Sequence, residues 1–303
     1  MYRHFFGMND LPFGACPDPR YLYLMPHIEE SLACLQYGIA ARKGFVVMTG
    51  EVGTGKTTLL KTVLSSFDQR ISTAFVFNPC LDVLDFLDFV LADFGISCTT
   101  RTKSGMLLQL NRWLIERFRN GELCAIVVDD AQNLSWELLE EIRLLTNLET
   151  PSEKLVQIVL SGQPELEVKL HNPRVRQLRQ RVSLWCRTRQ LTSEETAAYI
   201  AKRLHVAGAS QSVLSPDAVQ LVYRYSKGIP RLINLICEQA LISAYVEQIK
   251  PIPARIVESV GVELDLAQQS IAISPTAMSS LSEGSSPSAI SSPVNPSHIS
   301  PIS

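Results

Sequence analysis

Short apolar runs rich in β-branched and aromatic residues alternate with longer stretches of helical periodicity over the first two thirds of the chain. The runs that predict strands are 44–49, 71–77, 125–128, 156–160 and 182–188. Between them, apolar positions recur at the spacing of amphipathic helices, as in 57–67, 81–94 and 106–118. Strands that alternate with helices predict an α/β fold, in which a central parallel sheet carries helices on both faces.

The pattern changes in the last third of the chain. The run 192–195 (Thr-Ser-Glu-Glu) joins a capping residue to early acids and predicts a helix start, and the sequence after it is helical without a typical strand. The final part is rich in serine and proline, with Glu283 as its single charged side chain, and such a segment cannot bury enough apolar surface to offset the entropy of ordering. We therefore predict an α/β domain over 1–190, a small all-helical domain over 191–268 and a disordered tail over 269–303.

Composition and charge narrow the class of protein. A formal net charge of −2 excludes a global basic field that would coat nucleic acid, but leaves room for a local basic patch. The 7 cysteines include no C-x-x-C pair and several lie in apolar runs, which predicts reduced, buried thiols rather than disulfides or a zinc site. No secretory signal is present at the N-terminus and no apolar stretch reaches the ~18 residues of a membrane span. A cytoplasmic protein without an integral membrane segment is predicted.

A glycine-rich loop follows the first predicted strand and precedes a predicted helix. Residues 50–57 (GEVGTGKT) match the pattern G-x-x-x-x-G-K-[ST] in full. In that context the backbone N–H groups of the loop can surround the β- and γ-phosphates of ATP, Lys56 can neutralise phosphate charge, and the Thr57 hydroxyl can bind Mg²⁺. The predicted nucleotide-binding residues are Gly50, Glu51, Val52, Gly53, Thr54, Gly55, Lys56, Thr57 and Thr58.

Two carboxylates come directly after the apolar run 123–128, at the edge where an open α/β sheet binds its ligands. Asp129 is suited to hold Mg²⁺ together with Thr57, and Asp130 to orient or deprotonate the attacking water. The next strand ends in Ser161, Gly162 and Gln163, so Gln163 or Ser161 could contact the γ-phosphate or the water. The alternative is simple polarity at a strand end.

An arginine-rich segment follows, unusual in a slightly acidic protein. Its arginines are Arg174, Arg176, Arg179, Arg181, Arg187 and Arg189. An arginine at a subunit boundary can stabilise the charge of the transferring phosphoryl group, and Arg181 is the first candidate for this role and Arg179 the second. The alternative is a solvated or DNA-contacting face.

The dipeptide Pro230-Arg231 opens an apolar helix in the second domain. Proline is favourable at the first helical position, and the arginine after it would point toward the nucleotide. Arg231 is therefore a candidate sensor of the nucleotide state.

Several motifs resemble those of the general secretion pathway A (ExeA-type) AAA+ ATPases, including the short MshM-type ATPases of pilus biogenesis. Besides the glycine loop, the matching segments are 17–24 (PDPRYLYL), 129–134 (DDAQNL), 144–149 (LLTNLE), 162–166 (GQPEL), 177–181 (QLRQR) and 228–231 (GIPR). The resemblance implies an AAA+ P-loop fold with a helical lid. It also implies ATP hydrolysis coupled to assembly of a secretion or type IV pilus apparatus.

The resemblance implies roles for particular residues as well. ATP-dependent homo-oligomers, rings or dimers, would set Arg181 against the nucleotide of a neighbour, Arg231 would be the second sensor, and the segment 13–23 would pack on adenine. One departure is that the family has Asp-Glu where this chain has Asp129-Asp130, so hydrolysis is expected to be slow. Another is that longer members continue into a membrane helix and a peptidoglycan-binding domain that this sequence does not match, so direct contact with the cell wall is not expected.

Two other functions remain open on the sequence alone. A DNA-associated regulator resembling the TniB-type transposition ATPases would use the same loop, with the arginine-rich segment on phosphates. A nucleotide-dependent scaffold would bind ATP and scarcely hydrolyse it.

Overall fold

A computed structural model describes residues 1–14, 18–67, 71–77, 79–98, 101–209 and 211–266. Within these residues the centre of the molecule is a five-stranded parallel sheet of order β2-β3-β4-β1-β5. The strands are β1 (Phe45–Thr49), β2 (Ile71–Val76), β3 (Leu123–Val128), β4 (Gln157–Gly162) and β5 (Leu184–Arg187). All five predicted strands are confirmed.

Helices precede, connect and follow these strands. They are α1 (Tyr2–Phe6), α2 (Pro26–Ala40), α3 (Lys56–Ser66), α4 (Val83–Asp93), α5 (Lys103–Arg119), α6 (Trp136–Leu145), α7 (Pro164–Leu170), α8 (Arg176–Arg179), α9 (Ser193–Val206), α10 (Pro216–Ser226), α11 (Pro230–Val246) and α12 (Ala254–Glu263). Helices α2 and α3 pack on one face of the sheet, and α4, α5 and α6 on the other.

The central strands are buried on both faces because neighbouring side chains alternate between two apolar layers. Val127 and Val159 belong to the layer under α2 and α3, whereas Ile126, Ile158 and Leu160 belong to the layer under α4 to α6. The parallel register pairs the last residues of β1 and β4, Thr49 with Gly162. The polar loops that follow these strands therefore leave the sheet at one common edge.

Helices α9 to α12 form the lid. The predicted start of its first helix is confirmed, since the Thr192 hydroxyl accepts a hydrogen bond from the Glu195 N–H and the Glu195 carboxylate accepts one from the Thr192 N–H. The N-terminal helix α1 also packs here, against α11, where the Tyr2 hydroxyl donates to the Glu238 carboxylate at 2.8 Å. The two ends of the described chain thus meet in one apolar cluster.

Predictions about the cysteines and the tail have different outcomes. None of the six described cysteines forms a disulfide, but Cys80 is exposed, contrary to the expectation of buried thiols, because it lies in the connection between β2 and α4. Cys16 and the predicted tail, 269–303, lie outside the described residues.

Candidate nucleotide-binding site

The glycine loop bends sharply between β1 and α3. Gly53 and Gly55 have φ angles of 79° and 96°, in the left-handed region that favours glycine. Gly50 has no room for a side chain, because a Cβ there would lie 1.9 Å from the Thr188 hydroxyl oxygen. The loop therefore needs its glycines both for backbone conformation and for close packing.

Lys56 is the first residue of α3, and its side chain turns back into the loop. The Lys56 Nζ donates to the carbonyl oxygens of Gly50 at 2.7 Å and Glu51 at 3.0 Å, and the residue is 8% exposed. Burial lowers the pKa of the Lys56 ammonium, and the nearby carboxylates, Asp129 first among them, oppose that shift. The loop thus places a buried amine beside main-chain groups and the start of a helix, an arrangement suited to binding phosphate.

Thr57 and Asp129 meet across the loop and the end of β3. The Thr57 Oγ1 donates to the Asp129 Oδ2 at 2.6 Å, and the Ser161 Oγ at the end of β4 donates to the other oxygen, Oδ1, at 2.7 Å. The Asp130 N–H also donates to Oδ1, at 3.1 Å. The buried carboxylate is therefore fixed by side chains of α3 and β4 and by the neighbouring backbone amide, and the predicted pairing of Thr57 with Asp129 is a close contact.

Asp130 lies beside Asp129 but faces solvent, with a φ of 51°. Asp is more tolerant of this left-handed conformation than most residues, because its short side chain can bond locally. The Gln132 Nε2 donates to the Asp130 Oδ1 at 3.2 Å, and the Gln132 Oε1 accepts from the Gln163 N–H at 3.0 Å. Gln132 thus bridges the second carboxylate to the loop after β4.

The lid touches the glycine loop at the start of α11. The Arg231 N–H donates to the Gly53 carbonyl oxygen at 3.2 Å, and a Cβ on Gly53 would lie 2.8 Å from the Cβ of Arg231. The Arg231 side chain is exposed beside this contact. The structure therefore brings the predicted sensor residue to the phosphate-binding loop.

The arginine-rich segment divides into two groups. Arg181 is held by its own chain, at the C-terminal end of α6, where it donates to Asn147 Oδ1 at 2.5 Å and also contacts the Thr146 hydroxyl. Arg187 pairs with Glu167 and Arg189 with Glu195. Arg174, Arg176 and Arg179 are exposed, and their guanidinium groups have no hydrogen bond or ion pair with any described residue. The Arg174 guanidinium lies over the Trp136 ring, 5.8 Å from its centre, so Arg176 and Arg179 are the arginines most available to another molecule.

Two further predictions concern Gln163 and the segment predicted to contact adenine. Gln163 is the residue before α7, and its amide side chain has no hydrogen bond within the described chain, whereas the Ser161 hydroxyl is engaged by Asp129. In the segment predicted to contact adenine, Phe13 and Tyr21 are buried beneath the Arg203 guanidinium of α9. The adenine contact remains a prediction.

Sequence reasoning missed two residues of the site. Gln132 was only part of a matched motif, although a polar side chain just after a catalytic-type carboxylate pair is a usable signal. Thr188, which packs on Gly50 and lies 2.7 Å from the Thr54 hydroxyl, carries no local signal at all, since it is 134 residues away from Thr54.

The residues present fit a magnesium nucleotide. The loop offers backbone approach without side chains at Gly50 and Gly53, a buried ammonium at Lys56, and a hydroxyl and a carboxylate in contact at Thr57 and Asp129. Oxygen ligands of this kind are the ones Mg²⁺ prefers beside phosphates. A parallel sheet of this strand order, a phosphate loop after β1 and a helical lid define a P-loop protein of the AAA type.

Comparisons with known proteins agree with this class. Residues 39–170 match the family model AAA_22, described as an AAA domain. Solved structures share the fold, among them Cdc6p from Pyrobaculum aerophilum, with a TM-score of 0.67, 19% identity and coverage of 83% of this chain and 70% of that one. The ORC2 protein of Aeropyrum pernix, in ADPNP and ADP complexes, has a TM-score of 0.64 and 15% identity over 84% of this chain and 72% of its own. The predicted AAA+ fold is confirmed.

A relative in sequence is general secretion pathway protein A of Aeromonas hydrophila, which is 42% identical over 246 residues. The match covers 81% of this chain and 45% of the relative, so the chain spans less than half of that protein's length. This similarity confirms the predicted resemblance to the general secretion pathway A type of AAA ATPase. No helix among the described residues is both long and apolar enough to cross a membrane.

Proposed function

We propose that this protein binds and hydrolyses Mg-ATP and uses the cycle to control assembly of a secretion or type IV pilus apparatus. The proposed binding of Mg-ATP rests on one observation, the contact of Thr57 with Asp129 beside the buried Lys56 ammonium. A carboxylate and a hydroxyl held 2.6 Å apart next to a phosphate-type loop form the oxygen set of a magnesium site.

Asp130 is the group proposed to orient or deprotonate the attacking water. It lies at the solvent side of Asp129, and Gln132 holds one of its oxygens at 3.2 Å. When bound, Mg²⁺ supplies charge neutralisation to the phosphate oxygens. Lys56 contributes the same effect from the protein, because its ammonium is already desolvated and needs little rearrangement to stabilise developing charge.

The assembly role rests on the resemblance and on the free arginines. Arg179 is exposed and has no partner within the described chain, whereas Arg181 is bound to the end of α6. We therefore favour Arg179 over Arg181 as the residue that reaches the nucleotide of a neighbouring subunit in an ATP-dependent homo-oligomer. The partners would be secretion or pilus assembly proteins.

Calorimetry of the purified chain tests the nucleotide part. The wild type is expected to bind Mg-ATP, and Lys56→Ala to lose at least about tenfold in affinity, because a buried charged hydrogen-bond donor contributes ~1.5–3 kcal/mol. Lys61→Ala is the matched control, since Lys61 is an exposed lysine on the same helix. Absence of Mg-ATP binding, or equal affinities for the wild type and Lys56→Ala, would contradict the proposal.

A DNA-associated regulator is the second candidate, and the exposed Arg174, Arg176 and Arg179 favour it. Retention on duplex DNA with ATP, followed across a salt series, separates the two functions. Binding that falls steeply with salt and weakens in Arg174→Ala/Arg176→Ala supports the DNA function. No retention at low salt leaves secretion or pilus assembly.

Lengthening the side chain at Asp130 tests whether the protein is a slow, scaffold-like switch or an efficient ATPase. Asp130→Glu restores the residue that the related family has at this position. A strong rise in phosphate release at unchanged ATP affinity would identify the natural protein as the slower switch, and no change would show that Asp130 is sufficient. Glu tolerates a φ of 51° less well than Asp, so thermal stability is measured beside the rate.

A further inference from the structure

Thr188, just after β5, contacts the phosphate-binding loop through a buried pair of hydroxyl groups. Its Oγ1 lies 2.7 Å from the Oγ1 of Thr54, and both residues are buried. The Thr188 N–H donates to the Thr49 carbonyl oxygen at 2.8 Å, which continues the β1–β5 pairing up to the start of the loop. The position of the hydroxyl is therefore fixed by the sheet and not by a flexible connection.

The direction of the hydroxyl pair follows from counting protons. The Thr54 Oγ1 donates its single proton to the Glu51 carbonyl oxygen at 2.8 Å. Thr188 must then be the donor to Thr54, so the chain of hydrogen bonds runs from Thr188 through Thr54 to Glu51. The Glu51 carbonyl oxygen also accepts from Lys56 Nζ at 3.0 Å. Successive hydrogen bonds of this kind polarise and strengthen one another in a buried setting.

The fit of Thr188 against the loop is close on a second side. A side chain at Gly50 would collide with Thr188, since its Cβ would lie 1.9 Å from the Thr188 Oγ1 and 2.8 Å from its carbonyl oxygen. Gly50 and Thr54, the first and the fifth residues of the loop, thus both pack against Thr188.

Thr188 also stands three residues before the point at which the lid joins the α/β domain. There the Leu191 N–H donates to the Gly228 carbonyl oxygen at 2.8 Å. Gly228 begins the turn that brings Arg231 to the Gly53 carbonyl oxygen at 3.2 Å. The phosphate loop is consequently contacted on one side by Thr188 and on the other by the lid. A short stretch of chain links these two contacts.

We infer that Thr188 is a positioning residue for ATP binding, which acts through the Thr54 hydroxyl to keep the amide groups of the loop in their phosphate-binding arrangement. The inference rests on the proposed Mg-ATP binding. The role proposed for the Thr188 hydroxyl is indirect, because this hydroxyl would contact neither the phosphates nor the predicted metal ligands Thr57 and Asp129.

The test compares Thr188→Val, Thr188→Ser and the wild type in the full chain, by calorimetry with Mg-ATP, by steady-state hydrolysis and by thermal unfolding. Valine keeps the shape and removes the donor, leaving the Thr54 oxygen without its bond, so we expect the Kd for Mg-ATP to rise about tenfold. Serine keeps the donor and is expected to stay within about twofold of the wild type. Thr196→Val is the matched control, because Thr196 is a buried threonine of the lid whose hydroxyl has no hydrogen-bond partner in the described chain.

A second comparison asks whether the effect passes through Thr54. In a Thr54→Val background, Thr188→Val is expected to add less than about twofold to the Kd, because the shared hydrogen bond is already lost. Fully additive effects would overturn the inference.

Other results would overturn it as well. One is a Kd and hydrolysis rate for Thr188→Val equal to those of the wild type, with only the unfolding temperature lowered. Another is an equal loss of affinity in the valine and serine variants, which would show that side-chain volume matters and the hydroxyl does not. Failure of the wild type to bind Mg-ATP would instead contradict the proposed function, so the two failures are distinguishable.

Discussion

The phosphate loop and the arginine-rich segment are both charged, but they differ in how far their side chains are satisfied within one chain. Asp129 accepts hydrogen bonds from Thr57, Ser161 and the backbone, and Lys56 is enclosed by carbonyl groups. Arg179, in contrast, is exposed without a partner among the described residues. A site that is complete within the chain can bind its ligand alone. A segment with free cations needs a second molecule to complete it.

The arginine-rich segment shows that local density of charge does not assign a role. Arg181, Arg187 and Arg189 each form hydrogen bonds or ion pairs within their own chain, whereas Arg174, Arg176 and Arg179 do not, and Arg174 contacts only the ring of Trp136. The paired arginines stabilise the α/β domain and its junction with the lid, and the unpaired ones are available to a subunit or to DNA.

The largest effect that tests this difference between the phosphate loop and the arginine-rich segment is expected at Arg179. If it completes a neighbour's site, Arg179→Ala lowers ATP hydrolysis by about a thousandfold, the lower end of what an arginine finger contributes. The unfolding temperature should not change, since the side chain has no partner within the described chain. Arg181→Ala is expected to behave in the opposite way, with a stability loss of ~1–2 kcal/mol from its hydrogen bonds to α6 and little effect on bound nucleotide. Steady-state rates and thermal unfolding of the two variants check this.

A mixing experiment gives the control for action between subunits. Arg179→Ala retains an intact nucleotide site and Asp129→Ala retains an intact arginine, so mixing the two impaired variants should restore part of the activity. Activity no greater than the sum of the separate variants would argue against a role across the subunit boundary.

A smaller effect is expected inside the phosphate site. Asp129→Ala removes the carboxylate proposed to hold Mg²⁺, and hydrolysis should fall by about a hundredfold. Ser161→Ala removes only the hydroxyl that orients this carboxylate, and the loss should be about tenfold, with part of it recovered at high Mg²⁺. Titration of the rate with Mg²⁺ distinguishes the two variants. Equal losses in both would show that Ser161 does more than orient Asp129.

The smallest effect concerns a paired arginine. Arg189 lowers the pKa of the Glu195 carboxyl to about 2, below an unfolded value near 4.3, and His27 lies 3.6 Å from the same carboxylate. This pairing therefore stabilises the fold above pH ~4.3, and its contribution is lost as the pH falls through about 2. Because Arg189 is half exposed, we expect only ~1 kcal/mol.

Glu195→Gln measures that contribution, since glutamine can keep the hydrogen bond to the Thr192 N–H without the charge. Urea unfolding of the wild type and the variant should differ at pH 6 and converge toward pH 2. A difference that does not depend on pH would exclude the ion pair as its cause.

The five strands, helices α3, α4 and α5, the start of α9 and the phosphate loop could be predicted because each is specified by neighbouring residues. The glycine loop, for instance, is read from eight consecutive positions, and its place between β1 and α3 is confirmed. The pairing of Thr57 with Asp129 was also predictable, because parallel strands deliver their C-terminal residues to one edge of the sheet.

The contacts that could not be predicted join residues far apart in sequence. Nothing near Arg181 indicates that Asn147, at the end of α6, will bind it, and nothing near Thr188 indicates that it will face Thr54. The positive φ of Asp130 is likewise set by the turn that carries β3 into the following helical turn. Long-range packing determines the two side-chain contacts and a local turn determines the φ of Asp130, and sequence periodicity reports neither.

The packing of α1 on α11 limits how the protein can be divided into fragments for expression. Besides the Tyr2–Glu238 hydrogen bond, the Arg203 Nε donates to the Pro12 carbonyl oxygen and the Asn9 N–H to the Ala207 carbonyl oxygen. A fragment that starts at residue 191 would therefore leave apolar surface of the lid uncovered. Expression of this part of the protein as a separate unit would require the first fourteen or so residues to be joined back to it, for example by circular permutation.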